Sequence, residues 1–397
     1  MVQEIKFPIS LRIGSVLFGK IPFMKYLRAS VLFRLFLVFV ALGYTSSAHA
    51  QIEITLGGHQ TVIDAGVRGL NYFPDEPISI ISNRPSAYLV VSGQKTILMQ
   101  GQTFETARPV RDVLVPGQAG EFDSGYAGIT SIIKKEGQMI ALYHAEDHVG
   151  GQISYSTINR AYWSIGLATA DIKDQGFAKQ GQILTASVSK EKMKPTDDHL
   201  GLGDATIIEE ASGEYYYAYF TDLTRKPTNP AATIGMARCT VASGGARGAW
   251  KKFHNGRFEE PGLGGIESPV VRPLSAFPCD VFAPHVAYLR SAKKYVMTCN
   301  VMVYSDHEKQ EAEHGGIYYA VSDNGIQWSE PKQLVVGHPV PYVGRVYIGH
   351  PRLLIEREDK KQAIGWLLYC YSESWGTESP NKPHYLCRRR VQIKLAE

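Results

Sequence analysis

One phrase, repeated with variation, limits what this chain can fold into. Residues 203–222 read GDATIIEEASGEYYYAYFTD: an acid, an apolar run, a polar turn, and an aromatic run closing on a second acid. The same form appears in GITSIIKKEGQMIALYHAED (128–147), PHVAYLRSAKKYVMTCNV (284–301), GHPRLLIEREDKKQAIGWLLYCYS (349–372) and, more weakly, PSAYLVVSGQKTILMQG (85–101). Two β-prone runs joined by a short polar turn are the signature of a β-hairpin. Three hairpins lead into a third strand with its own rhyme: WSIGLATAD (163–171), TIGMARCTV (233–241) and GIYYAVSD (316–323). The first and third of these continue into a fourth strand, and no helical pattern of any length competes.

The repeated unit is therefore a four-stranded antiparallel sheet used five times. Repeats of this kind fit an all-β fold, a five-bladed β-propeller. Runs such as YYYAYF and WLLYCY are apolar on both faces, as sheets covered on both sides require, whereas a two-sheet sandwich alternates more cleanly. The expected blades span 60–115, 120–190, 197–262, 266–337 and 340–397, and QIEITLGG (51–58) is expected to add a strand that closes the ring. Residues 51–397 form one catalytic domain on this reading. VSDNGIQW (321–328) approaches an Asp-box turn, a structural mark of propeller sheets.

The first fifty residues stand apart from this pattern. MKYLRASVLFRLFLVFVALGYTSSAHA (24–50) has a basic start, an apolar stretch and an A-x-A end, the form of a secretory signal cut before Gln51. Met24 would serve equally as the true start. Residues 1–50 carry six Lys/Arg and one Glu, so their removal takes the net charge from +4 to about −1. The basic balance thus belongs to the leader and gives no ground for nucleic-acid binding. The mature chain is expected in the periplasm or outside the cell, with no membrane attachment after cleavage. Five cysteines lack any C-x-x-C pair, which excludes the usual zinc and redox motifs.

In a propeller, the start of the innermost strand and the end of the second strand open on the same face. The acid before each phrase and the polar group after it then share one mouth. Laid side by side, Gly128, Asp204, His285 and His350 take equivalent innermost positions, and Asp123 and Asp280 match each other upstream. Glu146 and His144 lie at a hairpin end, with His148 in the loop beyond. Trp163 starts a third strand on the same face, Trp375 closes another hairpin, and Glu267 sits in the long lead into the fourth blade. Several carboxylates among aromatic side chains suit sugar chemistry. One carboxylic acid protonates the leaving oxygen, and a carboxylate attacks or activates water.

GDATII, GIESPVV, IGLATAD and YAVSDNGIQW make the chain resemble the five-bladed β-propeller glycoside hydrolases of families 43, 32, 62, 117 and 130. That resemblance implies Asp123 as the base, Asp204 as the partner that tunes it, and Glu267 as the acid, with Glu146 and Asp280 as competing carboxylates. Those families place their first Asp on the first blade, where this chain offers Asp75 and Glu76 of NYFPDEP. The expected substrate is an oligosaccharide or polysaccharide, contacted by His144, Trp163, His285, Trp375 and Arg352. No cofactor is required, and the resemblance allows a structural calcium at the axis, with His350 as its metal ligand. Two other readings stay open: a non-catalytic glycan-binding propeller, and a glycoside phosphorylase using Arg272, Arg345 and Arg352.

Overall fold

The computed structural model describes residues 52–64, 66–70, 73–148, 160–174, 176–194, 199–224, 231–272, 274, 279–306, 311–337, 345–375 and 384–395. The signal-like leader lies outside them. Among the described residues no helix is long and apolar enough to cross a membrane.

The protein is all-β. Strand β1 (Glu53–Ile63) comes first. A run of β2 (Ser79–Asn83), β3 (Ser86–Ser92), β4 (Lys95–Gly101) and β5 (Arg108–Leu114) follows, paired antiparallel in order. The second run is β6 (Tyr126–Lys135), β7 (Gln138–His148), β8 (Ala161–Asp171) and β9 (Ala178–Leu184). The third is β10 (His199–Glu209), β11 (Tyr215–Asp222), β12 (Thr233–Thr240), β13 (Lys251–His254) and β14 (Arg257–Pro261). The fourth is β15 (Cys279–Leu289), β16 (Lys294–Asp306), β17 (Glu311–Ser322) and β18 (Lys332–Val336). The last comprises β19 (Arg345–Glu358), β20 (Gln362–Trp375) and β21 (His384–Lys394), and β1 pairs antiparallel along β21.

Two features depart from the expected layout. Short parallel contacts, Lys95 with Ala127 and His199–Gly201 with Ala161–Trp163, join the first three runs into one 13-stranded sheet. The third run also carries a fifth strand.

Apolar side chains sit where the doubly covered reading requires. Every residue of β3 is buried, and so is β11 from Tyr216 to Asp222. Five large apolar clusters lie between neighbouring runs. Ile81, Leu89 and Leu98 meet Ile129, Ala141 and Tyr143. Leu142 and Leu167 meet Leu202, Phe220 and Trp250. Tyr219 and Met236 meet Val281 and Met297. Val296 and Ile317 meet Leu353, Leu367 and Val391. Leu368 and Leu386 of the last run, with Val62 and Ile63 of β1, meet Phe73, Tyr88 and Met99 of the first. Side chains pointing alternately to opposite faces bind each run to both neighbours.

All five cysteines are buried and free. Cys370 and Cys387 do lie on adjacent strands, but Cys387 pairs with Tyr369 and Cys370 with Leu386, one step out of register. In the Asp-box-like turn, Ser322 Oγ accepts the Gly325 N–H at 2.8 Å and Trp328 Nε1 donates to the Gly325 carbonyl at 3.0 Å. Gly325 takes φ 74, the left-handed conformation this turn needs.

Candidate active site

Four first-in-run strands, β6, β10, β15 and β19, each carry one extra residue against their hairpin partner. In three of them a residue at the bulge is left-handed: Asp204 (φ 46), Ala283 (φ 48) and His350 (φ 50). Bulges re-aim side chains at functional sites. The equivalence expected for His285 is therefore off by two positions, since Ala283 is the counterpart of Asp204 and His350. Beyond the bulge, the ring of His285 points between runs and its Nδ1 accepts the Leu353 N–H at 3.3 Å. Burial, together with the Arg352 charge, holds its pKa well below the usual histidine value. His285 is a neutral pin between two sheets.

Asp204 meets the end of β7. His144, Glu146 and His148 alternate along that strand and so share one face. Where a strand end and loop were expected after His144, β7 runs on to His148. His144 Nδ1 stands 2.8 Å from Glu76 Oε1 and 3.2 Å from Asp204 Oδ1, and Nε2 stands 3.5 Å from Glu146 Oε1. Glu146 in turn holds His148 Nε2 through its other oxygen. The Trp163 ring lies 4.4 Å from the His144 ring at 65°, and His199 lies 5.1 Å beyond Trp163. Thr221 Oγ1 donates to Asp204 Oδ2 at 2.8 Å and accepts the Ala283 N–H at 2.9 Å. One hydroxyl thus couples the bulges of β10 and β15. Gly203 is small for a reason: a Cβ there would stand 2.7 Å from the Trp163 ring and 2.9 Å from the His144 ring.

Burial opposes the charge on His144, but hydrogen bonds to Asp204 and Glu76 and their charges raise its pKa well above the ordinary value. Burial and the neighbouring Asp204 charge push Glu76 up to about 8 despite its bond to His144. Burial and the charges of Glu76 and Glu146 raise Asp75 well above the carboxylate range, while Tyr126 donates to its Oδ2 at 3.2 Å. Burial would raise Asp204 too, but the bond and charge of His144, the His350 ring and Thr221 hold it low. Glu146 is likewise held low against burial by His148, His144 and His199. At neutral pH the site thus pairs a protonated carboxylic acid, Glu76, with ionised Asp204 and Glu146 around a histidinium.

Other expected residues go elsewhere. Asp123 pairs with Lys179 Nζ at 2.6 Å and accepts from Tyr143 Oη at 3.0 Å, both within the second run that it leads into. Glu267 accepts from Lys252 Nζ at 2.6 Å, and both side chains are buried. Asp280 accepts the Ala232 N–H at 2.6 Å, tying β15 to the residue that leads into β12. Each sits ahead of or at a strand, as its spacing suggested, but the chain turns its carboxylate toward a structural partner. The side chain of Trp375 lies outside the described residues. Arg352 follows His350 by two positions, and its Nε and Nη1 are buried with no partner among the described residues. Sequence spacing missed Glu76 as a site residue. Its one signal was that Asp75 and Glu76 are the acids NYFPDEP offers to the first run.

A calcium at His350 fits poorly. Calcium takes six to eight oxygen ligands, and His350 offers an imidazole, pushed down to about 4 by burial, with Tyr347 Oη at 3.4 Å. Glu76, His144 and Asp204 could together hold a cation, since their ligand atoms all lie within 4.8 Å of one another. A cation bound there would take the place of the proton on His144, since a ligating imidazole must be neutral.

No protein-family model matches the chain, and no curated protein matches its sequence. Its fold is that of β-propeller glycoside hydrolases. One structure described as a glycoside hydrolase aligns with TM-score 0.53 at 12% identity over 86% of this chain and 92% of its own. A family 43 enzyme from capybara gut metagenome aligns with TM-score 0.50 at 10% identity, over 83% of this chain and 53% of that one. A family 117 enzyme from Zobellia galactanivorans aligns with TM-score 0.49 at 10% identity, over 88% and 92%.

Proposed function

We propose that this protein is an exported glycoside hydrolase, a five-bladed propeller whose blades are the five strand runs, with its chemistry at the Glu76–His144–Asp204 cluster. The five apolar clusters, each between successive runs and the last joining the fifth to the first, support the ring. The observation that carries the activity is the pair of carboxylates bound to a single imidazole nitrogen, one protonated and one ionised. Environments that push two carboxylates apart in pKa assign acid and base roles. Glu76 donates its proton to the glycosidic oxygen as the bond to the leaving sugar breaks. Asp204 attacks the anomeric carbon, and water then releases the sugar from Asp204 as Glu76 takes the proton back. One oxygen of each lies within 4.8 Å of one of the other, short of the roughly 6.5–9.5 Å that an inverting pair leaves for its water. Retention of configuration follows. His144 holds both carboxylates in place, and Trp163 offers a ring to the sugar. Glu146, anchored by His148, is the next carboxylate along the same face.

The test is Glu76→Gln. On substrates with poor leaving groups kcat/KM should fall by about 10²–10⁴, and far less on activated aryl glycosides. Equal loss on both would remove Glu76 from the acid role. The anomeric form of the first product, read by NMR, checks retention. Export is supported by the form of residues 24–50, and the mass of the secreted protein should correspond to a chain starting at Gln51. A phosphorolytic reading is favoured by one observation, the unpartnered guanidinium nitrogens of Arg352. It requires turnover to depend on inorganic phosphate.

A further inference from the structure

We propose that a second glycan subsite, separate from the catalytic cluster, lies where the face of the last run that packs on the fourth run meets the end of β18. A cavity of about 370 Å³ opens there, lined by His59, Thr61, Val336, Tyr369, Tyr371 and Tyr385 with Ile348 and Arg389. That is the size of a small-ligand pocket. None of these residues belongs to the His144 cluster. Tyr371 and Tyr385 are half-buried, and their rings lie 5.9 Å apart at 56°; His59 stands 5.5 Å from Tyr371 at 66°. Nonparallel rings at the wall of an open cavity offer faces and edges to a sugar ring and its C–H groups.

The polar groups are oriented by one phenol. Arg389 Nε donates to Tyr369 Oη at 3.2 Å, and the same phenol shares a hydrogen bond with His59 Nδ1, 2.8 Å away. Burial and the Arg389 charge lower the His59 pKa, which favours the neutral ring. The exposed His59 is thus held by the Tyr369 phenol, with Thr61 beside it in the cavity wall. Arg389 is committed, with Nε on Tyr369 and Nη1 on the Gly57 carbonyl at 3.4 Å. A purely apolar ligand would leave the outer ring nitrogen of His59 unpaired. Aromatic faces with neutral hydroxyl and imidazole groups suit a neutral sugar unit of a longer chain. The choice of a glycan rests on the hydrolase reading above; the pocket and its polarity do not.

The experiment is affinity electrophoresis of the intact mature protein in native gels containing arabinan, β-1,3-galactan or rhamnogalacturonan. At least one polymer should retard the wild type. Val336→Trp, which fills the cavity from an exposed position, and His59→Ala should each weaken that retardation at least five-fold. Asp204→Asn should keep it, and both pocket variants should turn over a small aryl glycoside at the wild-type rate. Failure of every polymer to retard the wild type would overturn the subsite, as would wild-type retardation in both pocket variants. An equal loss in Asp204→Asn would also overturn it, by placing the polymer contact in the catalytic mouth. Absence of aryl glycoside turnover in the wild type would instead sink the hydrolase reading and leave the retardation result standing.

Discussion

Asp204 takes a left-handed backbone, φ 46, that asparagine tolerates nearly as well as aspartate. Asp204→Asn should therefore keep its fold while losing the attacking charge, so turnover falls by more than about 10²-fold with the melting transition still cooperative. Glu76 sets the alkaline limb: activity should decline as pH rises through about 8, and Glu76→Gln should abolish that limb. Stability has a definite sign as well. Glu76 and His144 both hold protons more tightly folded than unfolded, so the contribution of each is full only below its unfolded value. It drains away as pH climbs past the unfolded values of about 4.3 and 6.5. Asp204 and Glu146 act the other way, and their contribution is lost as pH falls through their depressed folded values. A melting temperature highest in mild acid and declining toward pH 8 is expected, and a rise with pH across that range would contradict it. The buried Lys252–Glu267 pair makes a contrasting case. Lys252 Nζ also donates to the Thr185 and Gly265 carbonyls, each at 2.7 Å, so its charge is fully committed. Glu267→Gln should cost about 3–5 kcal/mol of stability in urea unfolding, with near-normal turnover in the folded fraction. Lost turnover at unchanged stability would return Glu267 to the acid role. Asp123, Glu267 and Asp280 show why carboxylates mislead at this scale. Spacing places a residue near a strand end, but the partner that captures its side chain lies more than fifteen residues away or on another strand.

Strand patterning was readable with little loss. Apolar runs on both faces marked the inner strands, and the hairpin turns fell where Gly and Lys clustered. The bulges were not readable. An extra residue leaves the apolar pattern almost intact while shifting every later side chain, which is how His285 came to be equated with Asp204. Nor did the chain advertise that β7 continues to His148, because polar residues on its open end look like a loop. Gly203 shows the cost of tight approach between elements. Gly203→Ala would drive a methyl into the Trp163 and His144 rings. It should cost about 1–3 kcal/mol and lower turnover by displacing His144, both measurable on one purified variant. Wild-type stability and turnover together would show that the strand relaxes without disturbing the cluster.

Across the whole molecule, closure joins the two ends of the domain. β1 pairs with β21 from Glu53–Lys394 to Ile63–Leu386, while Val62 and Ile63 pack beneath Phe73 and Leu70. A chain starting at residue 66 should therefore lose cooperative unfolding, and a sharp wild-type-like melt would refute that role for β1. What the sequence determined alone was local: strands, turns and the two-sided apolar character that forces runs to stack. These follow from side-chain period and turn chemistry, which act over a few residues. The tertiary structure alone decided which acids meet. Glu76, His144 and Asp204 come from three runs and up to 128 positions apart. Their protonation depends on burial and mutual charge, which exist only once the sheets have packed.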